Sequence, residues 1–146
     1  MRNHHLWVLL LFVGSIFYSP VAAQQKSISA VENSIKRDGK YAILVSNARY
    51  FQAAINTGKN LRTENPKIVF EVVLIGPVVK DLASNKDLES TIELGEKVGI
   101  RIVVCKAAMK HFGLSEKDYH KSIAFTPDGF VYLLGLQENN YKTITL

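Results

Sequence analysis

The sequence holds one cysteine, Cys105, one tryptophan, Trp7, and only four prolines in 146 residues. A single cysteine excludes an intramolecular disulfide, so the fold must rest on its apolar core, helped by association if that core is modest. It also excludes zinc sites built from paired cysteines, and the histidines show neither HxxxH nor HExxH spacing. His111 and His120 are the only histidines beyond the leader and, with Cys105, stand at unrelated spacings, so neither a metal nor a cofactor is expected. No nucleophile elbow marks a serine triad. Asn56-Thr57-Gly58-Lys59 lacks the first glycine of a phosphate loop and falls late in a helical stretch, so the likeness is incidental. The net charge is +5, yet there is no run of like charge, no internal repeat and no low-complexity tract. Scattered lysines describe a solvated surface, and nucleic acid is not an expected partner.

One segment reads as a targeting signal. Arg2 with polar neighbours precedes the apolar run Leu6 to Tyr18, and Val21 and Ala23 supply the small residues of a cleavage site. That run is shorter than the roughly 20 residues a membrane-crossing helix needs. Residues 1–23 are therefore expected to be a signal peptide, and the product to be exported, periplasmic or secreted, with no stable membrane anchor. An uncleaved anchor is the alternative. No cysteine follows the run to carry a lipid. Residues 24–39 are polar, with Ile28, Val31 and Ile35 at helical spacing, and read as an N-terminal linker or short helix.

From residue 40 to 146 the pattern alternates. Tyr41 to Val45 is a continuous apolar run of the kind buried on both faces. Asn47 can cap the next helix, whose stripe is Ala48, Phe51, Ile55, Gly58 and Leu61, and Asn65-Pro66 ends it. Ile68 to Ile75 is a second strand stopped by Gly76-Pro77. Two helical pieces follow, Val78 to Ala83 and Asp87 to Val98, the second burying Leu88, Ile92 and Gly95. Ile100 to Val104 is a third strand, Lys106 to Phe112 a short helix, and Ser115 to Asp118 a capping-box-like turn flanked by Leu114 and Tyr119. Ile123 to Phe125 is a brief fourth strand. Thr126-Pro127 is expected to cap a helix carrying Phe130, Leu133, Leu134 and Gln137, and Asn139-Asn140 turns the chain into a last strand, Tyr141 to Leu146. Such alternation specifies an α/β fold, a mainly parallel sheet of about five strands with helices on both faces.

In open α/β sheets the functional crevice lies beyond the carboxyl ends of the strands. Four places meet that rule: Asn47 with its neighbours Ser46 to Arg49, Gly76-Pro77, Cys105-Lys106, and Thr126 to Gly129. Cys105 is the only strong nucleophile among them. A thiol at a helix start feels partial positive charge, and Lys106 and Lys110 add to it. Two readings stay open, a reactive thiolate or a small buried residue closing an apolar strand. Glu71, inside an apolar strand, is read as an edge or interface position meeting solvent or an arginine of another subunit; a buried, paired carboxylate is the alternative.

Three stretches together resemble the DsrE/DsrF-like family of small α/β proteins: FEVVLIGPVVKDL (Phe70 to Leu82), GIRIVVCKAAMKHFGL (Gly99 to Leu114) and PDGFVYLLGLQENNYKTI (Pro127 to Ile144). The shared features are a strand ending in Gly-Pro, a strand ending in Cys before a short helix, and a final Gln-x-x-x-Tyr. The resemblance implies a three-layer α/β/α sandwich that assembles into a homo-oligomer, a trimer or hexamer. It also implies that Cys105, like its equivalent in members that act in sulfur relay, accepts sulfur as a persulfide, with a small sulfur species or anion as the partner; Lys106, by its place beside Cys105, is a candidate thiolate stabiliser. Two positions depart from many relatives: Ile75 stands where they have histidine before Gly-Pro, and Lys106-Ala107 where they have Gly-Asn. The expected function is thus a sulfur carrier or sulfurtransferase-like protein, or else a non-enzymatic oligomeric binding module with an inert cysteine.

Overall fold

The computed structural model describes residues 26–146, so the leader and its cleavage site lie outside the described residues. Two units are distinguished, dividing after Asn33. In the first, Ile28–Glu32 forms a single-turn helix, α1, started by the Ser27 hydroxyl accepting from the Ala30 N–H at 3.2 Å.

The second unit is built on five strands: β1 (Lys40–Val45), β2 (Val69–Leu74), β3 (Arg101–Cys105), β4 (Ala124–Thr126) and β5 (Lys142–Thr145). All pair in parallel, in the order β4-β3-β2-β1-β5. Between them run α2 (Ala48–Glu64), α3 (Pro77–Ser84), α4 (Glu89–Lys97), α5 (Lys106–His111) and α6 (Gly129–Glu138). This is the three-layer α/β sandwich that the alternation of apolar runs specifies.

The topology follows from the handedness of parallel crossovers. From β1 to β4 the chain steps one way across the sheet, which keeps α2 to α5 on one face. It then doubles back from the β4 edge to the β5 edge, and reversal puts α6 on the opposite face. Side-chain alternation divides the core accordingly. Ile43, Val45, Val72, Leu74, Ile102 and Val104 pack under α2 to α5 with Phe51, Ile55, Val79 and Ile92. Ala42, Leu44 and Val73 pack under α6 with Leu133 and Leu136. Gly58 lets α2 lie close to the sheet, since a Cβ there would come within 2.6 Å of the Phe70 ring. Arg62, in the last turn of α2, donates to the carbonyls of Val98, the C-cap of α4, and Ile68, just ahead of β2, tying the three elements together.

Two expectations change. The last helix is capped by Asp128, whose carboxylate accepts from the N–H groups of Phe130 (2.8 Å) and Val131 (3.2 Å). Thr126 instead ends β4, because its backbone is still needed to pair with Cys105. Glu71 is not at an edge: β2 is the central strand and Glu71 is 4% exposed.

Candidate functional site

Because every strand is parallel, all the carboxyl ends lie along one rim of the sheet. The chain leaves β3 at Cys105 toward α5 on one face, and leaves the neighbouring β4 at Thr126 toward α6 on the other. Cys105 and Thr126 are paired residues, so the two crossovers part between them. A divergence of this kind is where open α/β sheets form a ligand crevice.

Cys105 caps α5 from its extended backbone and is 5% exposed, a free and buried thiol. Its Sγ accepts from the backbone N–H of Gly129, the first residue of α6, at 3.3 Å. The sulfur thus meets a helix-start N–H from across the sheet, besides lying at the start of the short α5. Gly129 is required for that approach: a Cβ there would sit 2.6 Å from Ile75 Cγ2 and 3.3 Å from Cys105 Cβ. The two crossovers are tied again where the Ala107 N–H donates to the Pro127 carbonyl at 3.2 Å. Thr126 is buried and donates its hydroxyl to the Asp128 carbonyl at 3.3 Å. Thr126, Pro127 and Asp128 also form one end of a groove of about 570 Å³ that follows α6 past Val131 and Gly135 to Asn139.

The other rim residues hold the frame. Lys106 is half exposed, and its ammonium pairs with Glu116 at 2.5 Å. Asn47 caps α2, accepting from the Tyr50 N–H at 2.9 Å. Gly76 adopts φ +60°, ψ −146°, a region open to glycine, and Pro77 opens α3. The Ser46 carbonyl accepts from the Val78 N–H at 3.1 Å, so the Asn47 and Gly76-Pro77 turns are neighbours. The structure brings Cys105, Thr126 and Gly129 together; Asn47, Gly76 and Pro77 form a second group along the same rim.

A second polar cluster lies under α6 toward the other end of the strands. Register aligns Arg101, Glu71, Ala42 and Thr143 in one row across β3, β2, β1 and β5. Both Glu71 oxygens are used: Tyr132 of α6 donates to Oε2 at 2.7 Å, and Tyr141, just ahead of β5, to Oε1 at 2.8 Å. Burial first, then the bonded carboxylate, push both phenols up to about 12. Beside them the Gln137 amide donates to the Thr143 hydroxyl at 2.7 Å, so the Gln137-x-x-x-Tyr141 motif serves to seat α6 and β5. The paired-carboxylate alternative for Glu71 is therefore the correct one. Its partners lie 61 and 70 residues downstream, beyond any local pattern. Among the described residues no group of three or more His, Cys, Asp or Glu could hold a metal ion, and no helix is long and apolar enough to cross a membrane.

The family model of the DsrE/DsrF-like family matches residues 39–146, and the chain belongs to that family. No curated protein matches the sequence. Among solved structures, MTH1491 from Methanobacterium thermoautotrophicum, a protein of unknown function, aligns with TM-score 0.67 at 15% identity, covering 75% of this chain and all of that one. The ychN protein from E. coli aligns with TM-score 0.63 at 14% identity, covering 74% and 99%. BT1422 from Bacteroides thetaiotaomicron, a conserved protein of unknown function, aligns with TM-score 0.60 at 20% identity, covering 78% and 100%. These likenesses establish the fold.

Proposed function

We propose that this protein is an exported sulfur carrier in which Cys105 takes up a sulfane sulfur as a persulfide and hands it on. The observation that carries the reading is the Gly129 N–H aimed at Cys105 Sγ where the crossovers of β3 and β4 part. Backbone donors at a helix start stabilise an anionic sulfur without needing a charged side chain. In the loading step the Cys105 thiolate attacks the outer sulfur of thiosulfate or a polysulfide. A Cys–S–S⁻ bond forms, the donor's S–S bond breaks, and sulfite or the shortened polysulfide leaves with that electron pair. An acceptor thiolate then attacks the outer sulfur in the same way and frees Cys105. No external oxidant or reductant is consumed.

The working form is a homo-oligomer, a trimer or hexamer. Leu133 and Leu136 of α6 face the sheet, while Phe130, Val131 and Leu134 are 58%, 65% and 60% exposed on its other side. A helix apolar all round is one that both its sides bury.

The test is mass spectrometry of the purified protein after incubation with thiosulfate or polysulfide, with Cys105→Ser as the blank. Gain of one sulfur atom at Cys105 is expected. The competing reading, an oligomeric binding module with an inert cysteine, draws on the 5% exposure of Cys105. It prevails if no sulfur is retained.

A further inference from the structure

The thiol is covered, and the element covering it is held by an identifiable pair of residues. Gly129 packs on Cys105 beside Ile75 and Val73, its N–H donating to Sγ, and Cys105 is 5% exposed, so the first turn of α6 is part of what shields the sulfur. Three residues along the same helix, Tyr132 reaches into the sheet and donates to Glu71. Glu71 is a fixed point: it stands on the central strand, and Tyr141 occupies its second oxygen. Leu133 and Leu136 add apolar packing on Ala42, Leu44 and Val73, and the other hydrogen bond from an α6 side chain to the sheet, Gln137 to Thr143, is exposed and lies at the far end of the helix.

We propose that Glu71 and Tyr132 are positioning residues that set access to Cys105, a latch closing the amino-terminal turn of α6 over the sulfur. The use of the latch rests on the carrier reading; the latch itself is read from access to the thiol. Opening is local, confined to the start of α6, and its population is governed by the Tyr132–Glu71 bond, a charge-assisted one in a part-buried setting.

Tyr141 provides the control. Tyr132→Phe and Tyr141→Phe each remove one hydroxyl donor from the same carboxylate, but only the first loosens α6. Alkylation of Cys105 by iodoacetamide, at one pH and one protein concentration, is expected to run at least about tenfold faster in Tyr132→Phe than in the wild type, the lower end of the range for one hydrogen bond to a charged group. Tyr141→Phe is expected to stay within about threefold of the wild type on the same reasoning. Equal acceleration by both variants marks general loosening and overturns the proposal, as do equal rates in all three proteins or no labelling in any. If Tyr132→Phe does not fold, Glu71→Gln replaces it: its neutral amide offers one acceptor oxygen instead of two, labelling should be faster than in Tyr141→Phe, and a wild-type rate overturns the latch. Failure of the carrier reading is separate. A protein that labels as expected yet retains no sulfur keeps the latch and loses the carrier, and one that retains sulfur with identical rates loses the latch alone.

Discussion

Gly129 and Cys105 meet across the sheet, the backbone N–H of the one donating to the Sγ of the other at 3.3 Å. The contact joins two crossovers that leave adjacent strands for opposite faces, and it depends on there being no side chain at position 129. Gly129→Ala would bring a Cβ to 2.6 Å from Ile75 and 3.3 Å from Cys105, in a place walled by buried strands. Overpacking of this kind is expected to cost about 1–3 kcal/mol, read as a lower urea midpoint at unchanged slope. Stability equal to the wild type would mean that α6 does not sit on the thiol as described.

The Glu71 cluster makes a prediction about combinations. Glu71→Leu leaves the hydroxyls of Tyr132 and Tyr141 without their acceptor, and is expected to destabilise by at least about 2 kcal/mol. The triple variant Glu71→Leu, Tyr132→Phe, Tyr141→Phe replaces the whole cluster with apolar groups of similar shape and should regain most of that loss. Urea unfolding of the wild type, Glu71→Leu and the triple variant tests it. If the triple variant is no more stable than Glu71→Leu, unsatisfied hydroxyls are not the source of the loss.

What could be read in the sequence and what could not divides by the range of the interaction. The strands β1 to β3 are legible because a strand covered on both faces is a continuous apolar run, as Ile43 to Val45 and Val72 to Leu74 are. The rim follows from the parallel topology, so Cys105, Thr126, Gly76 and Asn47 fall along it. The cap of α6 shifted from Thr126 to Asp128 because pairing with β3 outweighed a local capping preference. Glu71 reads as an edge position in the sequence because nothing near it in the chain announces Tyr132 and Tyr141. Gly129 falls in the Thr126 to Gly129 stretch that the rim rule selects, but its contact with Cys105 has no local signal and arises only once β4 pairs with β3.

The phenols offer a test by pH. Tyr119, Tyr132 and Tyr141 are each pushed up to about 12, chiefly by burial, from an ordinary value of 10.0. A folded value above the unfolded one means that the unfolded chain releases these protons first. The stability they contribute is therefore whole below about pH 10 and is lost as pH rises toward about 12. Phenolate absorbance of the native protein should show a late-titrating group that merges with the ordinary one in denaturant. A single native transition near pH 10 would contradict the buried hydroxyl bonds.

The outer side of α6 yields the last test. Phe130, Val131 and Leu134 are exposed on a helix whose inner side is already filled by Leu133 and Leu136, so a charge on the outer side disturbs no packing within the chain. Leu134→Glu should leave the folded monomer intact while placing a carboxylate in the interface that the proposed oligomer requires. Light scattering at micromolar concentration is expected to give a mass several times that of one chain for the wild type and a lower mass for Leu134→Glu. Circular dichroism of the two should agree in helix content. Loss of about 2 kcal/mol of apparent stability at equal concentration would accompany dissociation, because association stabilises the folded chain by mass action. An unchanged mass in Leu134→Glu would move the interface off α6, and a monomeric wild type would remove the oligomer from the proposed function altogether.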